Sequence, residues 1–280
     1  MNTAATGRDR PGPPPASFPA DAARTNRSQT PQTEPPADAR VSFLGVRFDQ
    51  LTLKEAASLI LSRPEGSPFA PVVTPNASHV VRIERSEELA FAYSRAWLCL
   101  NDSRAIELLA RWKGLDLPAV PGADLVVELL ADPQFARSAP VLLVGGDTEL
   151  FKNFISTVGL LNAVHYDAPM GLLSNREAFE ETVAFIEAHP AQFVFLAIGS
   201  PQQEMLAERL RRRRIATGVG LCIGASVEFL TGRRRRAPAW VSRWRIEWLF
   251  RLACEPRRLW RRYLVESPKI LRLFLREKRR

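Results

Sequence analysis

The chain has 280 residues and is 46% hydrophobic, which is enough to bury one large core or two small ones. No uncharged apolar run approaches the roughly 20 residues that span a bilayer, and no N-terminal apolar run indicates a signal peptide. The net charge is +9, but 17 of the 39 basic residues and only four of the 30 acidic residues lie in positions 233–280. This tail therefore carries +13 and the rest of the chain −4, which describes a mildly acidic body with a basic tail.

Residues 1–40 differ from the rest of the chain, because eight prolines stand there among small and polar residues. We expect this arm to be disordered, a folded domain to occupy residues 41–232, and an appendage to follow over 233–280. The three cysteines are widely spaced in apolar surroundings, which favours reduced core thiols over a disulfide or a zinc site: Cys99, Cys222 and Cys254. We expect no metal, no other cofactor and a cytoplasmic location.

The predicted elements alternate between strand and helix along residues 41–232. The predicted strands are 41–48 (one strand or two), 71–74, 96–100, 140–144, 163–166, 193–198 and 215–224. The predicted helices are 53–61 with Thr52 as its cap, 78–95, 106–113, 125–130, 149–158, 176–188, 201–214 and 225–230. This alternation predicts an α/β fold with a mostly parallel sheet and helices on both faces.

Residues 193–204 change from an apolar run to a helix start. Residues 193–198 contain no polar side chain, as expected of a central parallel strand. Gly199 permits a sharp turn, Ser200 is a suitable N-cap, and Pro201 suits the first helical position. Ligands bind at such strand ends in open α/β sheets, where free helix N–H groups favour phosphate. A binding site and a simple strand-to-helix connection are both compatible with this stretch.

Asp102 is the best candidate for a catalytic group, because it follows an apolar strand next to the strand that leads to Thr74 and Asn76. A carboxylate there can act as a general base, and it can equally serve only as a helix cap. Thr74 and Asn76 could bind a sugar or nucleotide, or be plain turn residues. The three histidines are scattered along the chain and are interpreted as structural: His79, His165 and His189.

The basic tail begins with four consecutive arginines at 233–236. Such a run could bind a diphosphate through bidentate hydrogen bonds, contact anionic lipid or nucleic acid, or be solvated surface. Trp240, Trp244 and Trp248 follow at the spacing of an amphipathic interfacial helix. We predict helices over 239–252 and 259–275, interrupted by prolines.

Short motifs extend in a fixed order from about Val41 to Leu264. They are Thr74-Pro-Asn76, the strand-end Asp102, Gly122-Ala-Asp-Leu125, Val144-Gly-Gly146, Gly199-Ser-Pro-Gln-Gln-Glu204, Gly220 with Gly224 and Phe229, Gly232, Arg236-Ala-Pro238, Glu247-Trp248, Arg251, Glu255-Pro-Arg-Arg258 and Arg262-Tyr263. As an ordered set they resemble the WecG/TagA/CpsF glycosyltransferase family. The resemblance implies a Rossmann-like fold and an inverting, metal-independent transferase that moves a sugar from a UDP-sugar to a polyprenyl-diphosphate-linked saccharide.

The resemblance also implies roles for individual residues. Asp102 would be the general base, and the remaining candidates would contact substrate: Thr74, Asn76, Asp124, Gln203, Arg233, Arg236 and Arg251. The tail would associate with the anionic inner face of the cell membrane, a homo-oligomer is compatible with the resemblance, and no nucleic acid is expected. Two departures matter, because the family usually has glycine where this chain has Ser103 and often has arginine where it has Ala119. The second departure leaves one phosphate or pocket contact unaccounted for, so the donor could differ.

Two other classes remain open from the residues alone. A nucleic-acid-binding protein would explain the basic tail, but the acidic body disfavours it. A nucleotide-sugar oxidoreductase or epimerase could use the same sheet, but the chain has no G-x-G-x-x-G after its first strand and no G-x-x-x-x-G-K-[ST].

Overall fold

A computed structural model describes residues 34–35, 39–234 and 247–277 of the chain. The first element of the described residues is an antiparallel hairpin. Its strands are β1 (Arg40–Phe43) and β2 (Val46–Asp49). The buried Asp49 joins this hairpin to the rest of the protein, because its Oδ2 accepts from the Cys99 backbone N–H at 2.7 Å while its Oδ1 lies 2.7 Å from Arg40 Nε. The predicted disordered arm lies almost wholly outside the described residues.

Six parallel strands form the central sheet of the described residues. In spatial order they are β4 (Leu98–Cys99), β3 (Ala70–Val73), β8 (Val219–Cys222), β7 (Phe193–Leu196), β5 (Val141–Val144) and β6 (Ala163–Tyr166). Every residue of the four central strands is buried, which explains why their sequences are continuous apolar runs without alternation. The predicted parallel sheet is confirmed.

Helices cover both faces of this sheet. They are α1 (Leu53–Leu61), α2 (Ala77–Ile83), α3 (Glu87–Ser94), α4 (Arg104–Trp112), α5 (Gly122–Ala131), α6 (Thr148–Val158), α7 (Arg176–Ala188), α8 (Gln202–Arg213) and α9 (Ser226–Leu230), with a 3₁₀ turn at Leu172–Ser174. Side chains of α2, α3, α4, α7 and α8 pack with the hairpin in one core, and those of α1, α5, α6 and α9 form the core on the other face. The expected three-layer α/β arrangement is therefore present.

Two details of the predicted helices are wrong. The single helix predicted over 78–95 is two helices, because Ser86 Oγ accepts from the Leu89 backbone N–H at 3.2 Å and caps a new helix there. Ser200 is not the cap of α8, since its hydroxyl has no hydrogen-bond partner among the described residues and the helix starts at Gln202. The Thr52 cap is confirmed, with a reciprocal hydrogen bond from Thr52 to Glu55 that completes a capping box.

The C-terminal segment folds back onto the body. It contains α10 (Glu247–Cys254), α11 (Pro256–Trp260), a π-helical segment (Arg261–Glu266) and α12 (Lys269–Glu277). Phe274 of α12 is buried against Phe43, with ring centroids 6.3 Å apart, and the Glu277 carboxylate accepts from the Leu44 N–H at 3.0 and 3.1 Å. Residues 235–246, which include most of the first predicted tail helix with Trp240 and Trp244, lie outside the described residues.

We predict that Phe274→Ala destabilises the whole protein, because it removes an aromatic ring that is 4% exposed and contacts the hairpin. The free energy of unfolding should fall by about 3–5 kcal/mol, measured by urea denaturation. The neighbouring Leu275 is 61% exposed and provides a matched control, because Leu275→Ala should change stability by no more than about 0.5 kcal/mol. Equal effects of the two substitutions would show that α12 does not dock on the body.

Candidate active site

The carboxyl ends of five neighbouring strands open into one cleft of about 880 Å³. The residues that line it after these strands are Thr74 and Asn76 after β3, Asp102 after β4, Gly146 after β5, Gly199 and Ser200 after β7, and Gly224, Ala225 and Ser226 after β8. The C-terminal segment forms a further wall, with Phe250, Cys254, Glu255, Leu259, Arg261 and Glu266. The cleft therefore lies between the strand ends and the tail.

Asp102 is fixed at this edge by backbone hydrogen bonds that continue beyond β4. The Leu100 N–H donates to the Val73 carbonyl at 2.9 Å, and the Asp102 N–H donates to the Pro75 carbonyl at 3.0 Å. Asp102 therefore lies directly beside the turn that carries Asn76. The N-cap of α4 is Ser103, whose Oγ accepts from the Ile106 N–H at 3.4 Å, so the capping role considered for Asp102 belongs to its neighbour.

Thr74 and Asn76 form the part of the cleft next to Asp102. Thr74 is buried, and its Oγ1 donates weakly to the Cys222 carbonyl at 3.4 Å. The chain at Gly122 passes so close that a Cβ there would lie 3.1 Å from Thr74 Oγ1, which explains a small residue at the start of α5. Asn76 is the N-cap of α2, and its Oδ1 accepts from the Ser78 and His79 N–H groups.

Gln203 enters the cleft from the first turn of α8 and is held at both ends of its carboxamide. Its Nε2 donates to Glu204 Oε1 at 2.9 Å, and its Oε1 accepts from the Gly224 N–H at 3.0 Å. Glu204 is fully buried, and burial raises the pKa of its carboxyl above the ordinary range although hydrogen bonds oppose this shift. Ser200 also acts to lower that pKa, although its hydroxyl makes no well-formed hydrogen bond.

Arginines line the side of the cleft formed by the tail, and three of them are ion-paired. Arg233 forms a bidentate pair with Asp147, with N–O distances of 2.7 Å. Arg234 pairs with Glu228 and with Glu255, and Arg82 of α2 pairs with Glu266 at 3.1 Å. Among the described residues Arg261 has no carboxylate partner, so it is the cation most available to a ligand.

Other predicted site residues lie elsewhere. Asp124 lies in the first turn of α5 and is not a lining residue, although Pro121 and Ala123 beside it are. Arg236 and the Arg251 side chain lie outside the described part of the chain. Cys254 is exposed in the cleft, so its prediction as a core thiol is wrong, because it belongs to a tail helix that covers the strand ends and is not packed between layers. Cys99 and Cys222 are buried free thiols as predicted.

The cleft also contains residues that the sequence did not indicate. His79 and Arg82 lie one helical turn apart on α2 and both line it, while Arg261 and Glu266 reach it from the π-helical segment. The only one of these residues with a signal in the sequence is His79, which follows the candidate Asn76 by three residues and so falls within one helical turn of it. His165 and His189 are structural as predicted, since each bonds a backbone carbonyl and stacks on a phenylalanine ring.

Two features are absent from the described residues. These residues contain no group of three or more His, Cys, Asp or Glu side chains that could hold a metal ion. Their helices are all too short or too polar to cross a membrane.

Comparison with known families decides the class of this protein. Residues 41–280 match the glycosyl transferase WecG/TagA/CpsF family, which is 240 of the 280 residues. The chain belongs to this family. The shared region begins at β1 and includes the whole cleft, so the residues described above lie within the part that the family defines.

Two curated relatives carry the same enzyme name. The chain is 27% identical over 185 residues to the N-acetylglucosaminyldiphosphoundecaprenol N-acetyl-beta-D-mannosaminyltransferase of Bacillus subtilis strain 168, covering 64% of this chain and 69% of the relative. It is 26% identical over 214 residues to the enzyme of that name from Bacillus spizizenii strain W23, covering 74% and 79%. This glycosyltransferase is thus related to enzymes whose names specify a lipid-linked acceptor, and the two other classes considered from the sequence lose their support.

We predict that the Arg233–Asp147 pair can be detected in the titration of Asp147. The Arg233 guanidinium and the Leu150 N–H lower the pKa of the Asp147 carboxyl to about 2. The pair should therefore stabilise the protein above the unfolded pKa of about 3.9, and this contribution should be lost as the pH falls towards 2. In Arg233→Gln the midpoint should move up towards the ordinary value, followed by ¹³C NMR of the aspartate carboxyls over the pH range in which the protein stays folded.

Arg234→Gln is the matched control for this titration, because Arg234 is the adjacent arginine and pairs with other carboxylates. It should leave the Asp147 midpoint unchanged. An unchanged midpoint in Arg233→Gln would show that the bidentate pair does not form in solution.

Proposed function

We propose that this glycosyltransferase moves a sugar, of the hexosyl or N-acetylhexosaminyl type, from a UDP-sugar to a polyprenyl-diphosphate-linked saccharide with inversion at the anomeric carbon. The observation that carries this proposal is the meeting of the Asp102 carboxylate with hydrogen-bonding amides and arginines in one cleft of a family member. The names of the two Bacillus relatives support the lipid-linked acceptor and the N-acetylhexosamine class.

Asp102 would act as the general base. The acceptor hydroxyl attacks the anomeric carbon while its proton passes to the Asp102 carboxylate, and the bond from that carbon to the UDP oxygen breaks. The new bond forms on the face opposite the leaving group, which gives inversion. The position of Asp102 supports this role. Its backbone N–H is hydrogen-bonded to the Pro75 carbonyl, and Ser103, not Asp102, caps the helix that follows. A positioned base contributes about 10²–10⁴ to the rate.

Arginines would stabilise the departing diphosphate. Planar guanidinium groups bind phosphate oxygens in pairs, and such charge-assisted hydrogen bonds are stronger than neutral ones. Arg261 has no carboxylate partner among the described residues, and Arg233 is held by an exposed aspartate that a diphosphate could replace. We assign the diphosphate to these two residues, and Arg261 offers the cationic contact that Ala119 cannot make.

The acceptor carries a lipid, so we propose that the enzyme works on the surface of a membrane, at its inner face. Exposed apolar side chains of the C-terminal segment support this, namely Leu249, Trp260, Leu264, Val265, Leu271 and Leu275. Basic residues alternate with them, and each is worth about 1 kcal/mol near an anionic leaflet. This arrangement is typical of a reversibly bound interfacial helix.

We predict that Asp102→Asn lowers turnover by about 10²–10⁴ while leaving UDP binding and thermal stability unchanged. The test uses the full-length protein, a panel of UDP-sugars and a lipid-linked acceptor, with product formation and UDP binding measured separately. Asp132→Asn is the control, because Asp132 follows α5 and does not line the cleft. Wild-type turnover in Asp102→Asn would assign the base to another group.

We further predict that serine substitutions at Trp260, Leu264 and Leu271 together weaken binding to anionic vesicles. These side chains are more than half exposed, so the fold should tolerate the change. The dissociation constant should rise at least about tenfold, because each inserted apolar side chain contributes about 1.5 kcal/mol or more. Vesicle sedimentation at increasing salt measures this. The single substitution Leu161→Ser is the control for exposed apolar surface, because this position is 81% exposed and lies outside the tail. Equal vesicle binding by the wild type, the triple variant and Leu161→Ser would contradict the proposal.

A further inference from the structure

A buried carboxyl group lies behind the cleft and is connected to it by two branches of hydrogen bonds. Glu204 Oε1 accepts from Tyr93 Oη at 3.0 Å and from Gln203 Nε2 at 2.9 Å. Tyr93 and Glu204 are both buried, and neither lines the cleft. The Tyr93 branch continues to His79 and Asn76, which do line it. A single buried group thus holds polar side chains on two elements, α2 and α8.

The directions of the hydrogen bonds can be assigned from chemistry. Asn76 Oδ1 accepts from the Ser78 N–H at 3.2 Å, the Ser78 hydroxyl at 3.1 Å and the His79 N–H at 3.4 Å, so the oxygen of this amide faces the helix. The Asn76 NH₂ group therefore faces the His79 ring, 3.5 Å from Nε2. An amide NH₂ can only donate, which requires His79 Nε2 to be an acceptor without a proton.

The other ring nitrogen must then carry the proton of neutral His79. His79 Nδ1 is 3.2 Å from Tyr93 Oη, and it donates there, because the tyrosine proton is used towards Glu204. Burial and the neighbouring carboxyl raise the pKa of Tyr93 well above its ordinary value, so the hydroxyl keeps that proton. All three bonds therefore run in one direction, from Asn76 through His79 and Tyr93 to Glu204.

We propose that Glu204 is a positioning residue: through Tyr93 it holds His79 with the proton on Nδ1 and an acceptor at Nε2, and through Gln203 it fixes the second amide of the cleft. The carboxamide of Gln203 cannot rotate, since its oxygen is held by the Gly224 N–H. Arg82 of the same helix and Glu266 of the π-helical segment also line this part of the cleft, and they are paired with each other. This region of the cleft therefore suits the hydroxyl groups of a sugar, and the diphosphate belongs with the tail arginines.

The tautomer of His79 is the primary test, and it does not depend on the proposed transferase activity. The full-length protein is labelled with ¹⁵N-histidine, and the three histidines are assigned with the His79→Gln variant. The other two are internal references, because His165 Nε2 donates to the Gly146 carbonyl at 3.1 Å and His189 Nδ1 donates to the Phe185 carbonyl at 2.7 Å. We expect His79 to show the Nδ1–H form, like His189 and unlike His165.

Tyr93→Phe removes the acceptor for that proton. The Nδ1–H form of His79 should give way to a mixture, and the KM for the donor should rise about tenfold while kcat changes less, because the loss of a hydrogen-bonded orientation costs roughly 1.4 kcal/mol of binding. Tyr166→Phe deletes the same atom from a tyrosine outside the cleft and should change neither quantity. This KM effect rests on the proposed function, whereas the tautomer does not.

A second variant separates positioning from stability. Tyr93→Phe leaves the buried Glu204 with one hydrogen bond fewer. The melting temperature of this variant should therefore fall. Adding Glu204→Gln replaces the buried carboxyl with a neutral amide and should restore much of the melting temperature, but it should leave the His79 tautomer mixed and the KM high. If the double variant also recovered the Nδ1–H tautomer of His79 and the wild-type KM, the network would contribute only to stability.

The outcomes are distinguishable. An Nε2–H form of His79 in the wild type, or an unchanged Nδ1–H form in Tyr93→Phe, overturns the positioning role even if the protein transfers sugars. The expected tautomers in a protein that transfers no sugar from any UDP donor would support the positioning role and reject the proposed function. The tautomer is read from the wild-type protein, and the His79→Gln variant serves only to assign its signals.

Discussion

Parallel pairing of the central strands is the constraint on which the rest of the structure depends. The last residues of the strands lie in one row, since Val144 pairs with Leu196, Leu196 with Cys222, Cys222 with Val73, and Val73 with Cys99. Buried backbone groups must be hydrogen-bonded, so this register cannot shift without loss of several bonds. The turns that follow all five strands consequently open at the same edge, and that edge is the cleft.

The C-terminal segment completes this cleft and is part of the core. Phe274 packs on the hairpin, and Leu259 and Ile270 are also buried. The basic tail is therefore more than a solvated extension. Because the same segment presents apolar side chains outward and lines the strand ends, it brings membrane contact and the catalytic cleft together in the function that we propose.

Polar groups of the cleft are held in two physically different ways. The arginine pairs are partly exposed, such as Arg233 and Asp147 at 45% and 47%, and exposed pairs contribute only about 0–1 kcal/mol. An incoming diphosphate can exchange with such a partner at little cost. Gln203 and His79, in contrast, are connected to the buried Glu204, and leaving a buried polar group without its hydrogen bond costs about 1–3 kcal/mol. We infer exchangeable cations for the diphosphate and fixed groups for the sugar.

Local chemistry explains what could be read from the sequence. Apolar runs such as 193–198 and 140–144 predicted the buried strands, and Thr52 predicted a helix start, because these signals depend on burial and hydrogen bonds within a few residues. The prediction that Ser200 caps α8 was wrong for the same reason: serine is a good capping residue locally, but this helix does not use it. Strand-end polarity identified Asp102, Thr74 and Asn76 as cleft residues, since parallel strands must share an edge.

Tertiary structure decided everything that joins distant parts of the chain. The spatial strand order puts β3 beside β8, so Gln203 and Gly224 meet Thr74 although more than 100 residues separate them. The pairing of Tyr93 with Glu204 spans 111 positions, and that of Arg82 with Glu266 spans 184. No residue carries a local signal for such contacts. They arise because burial of the whole core fixes the sheet register, the packing of the helices and the docking of the tail at the same time.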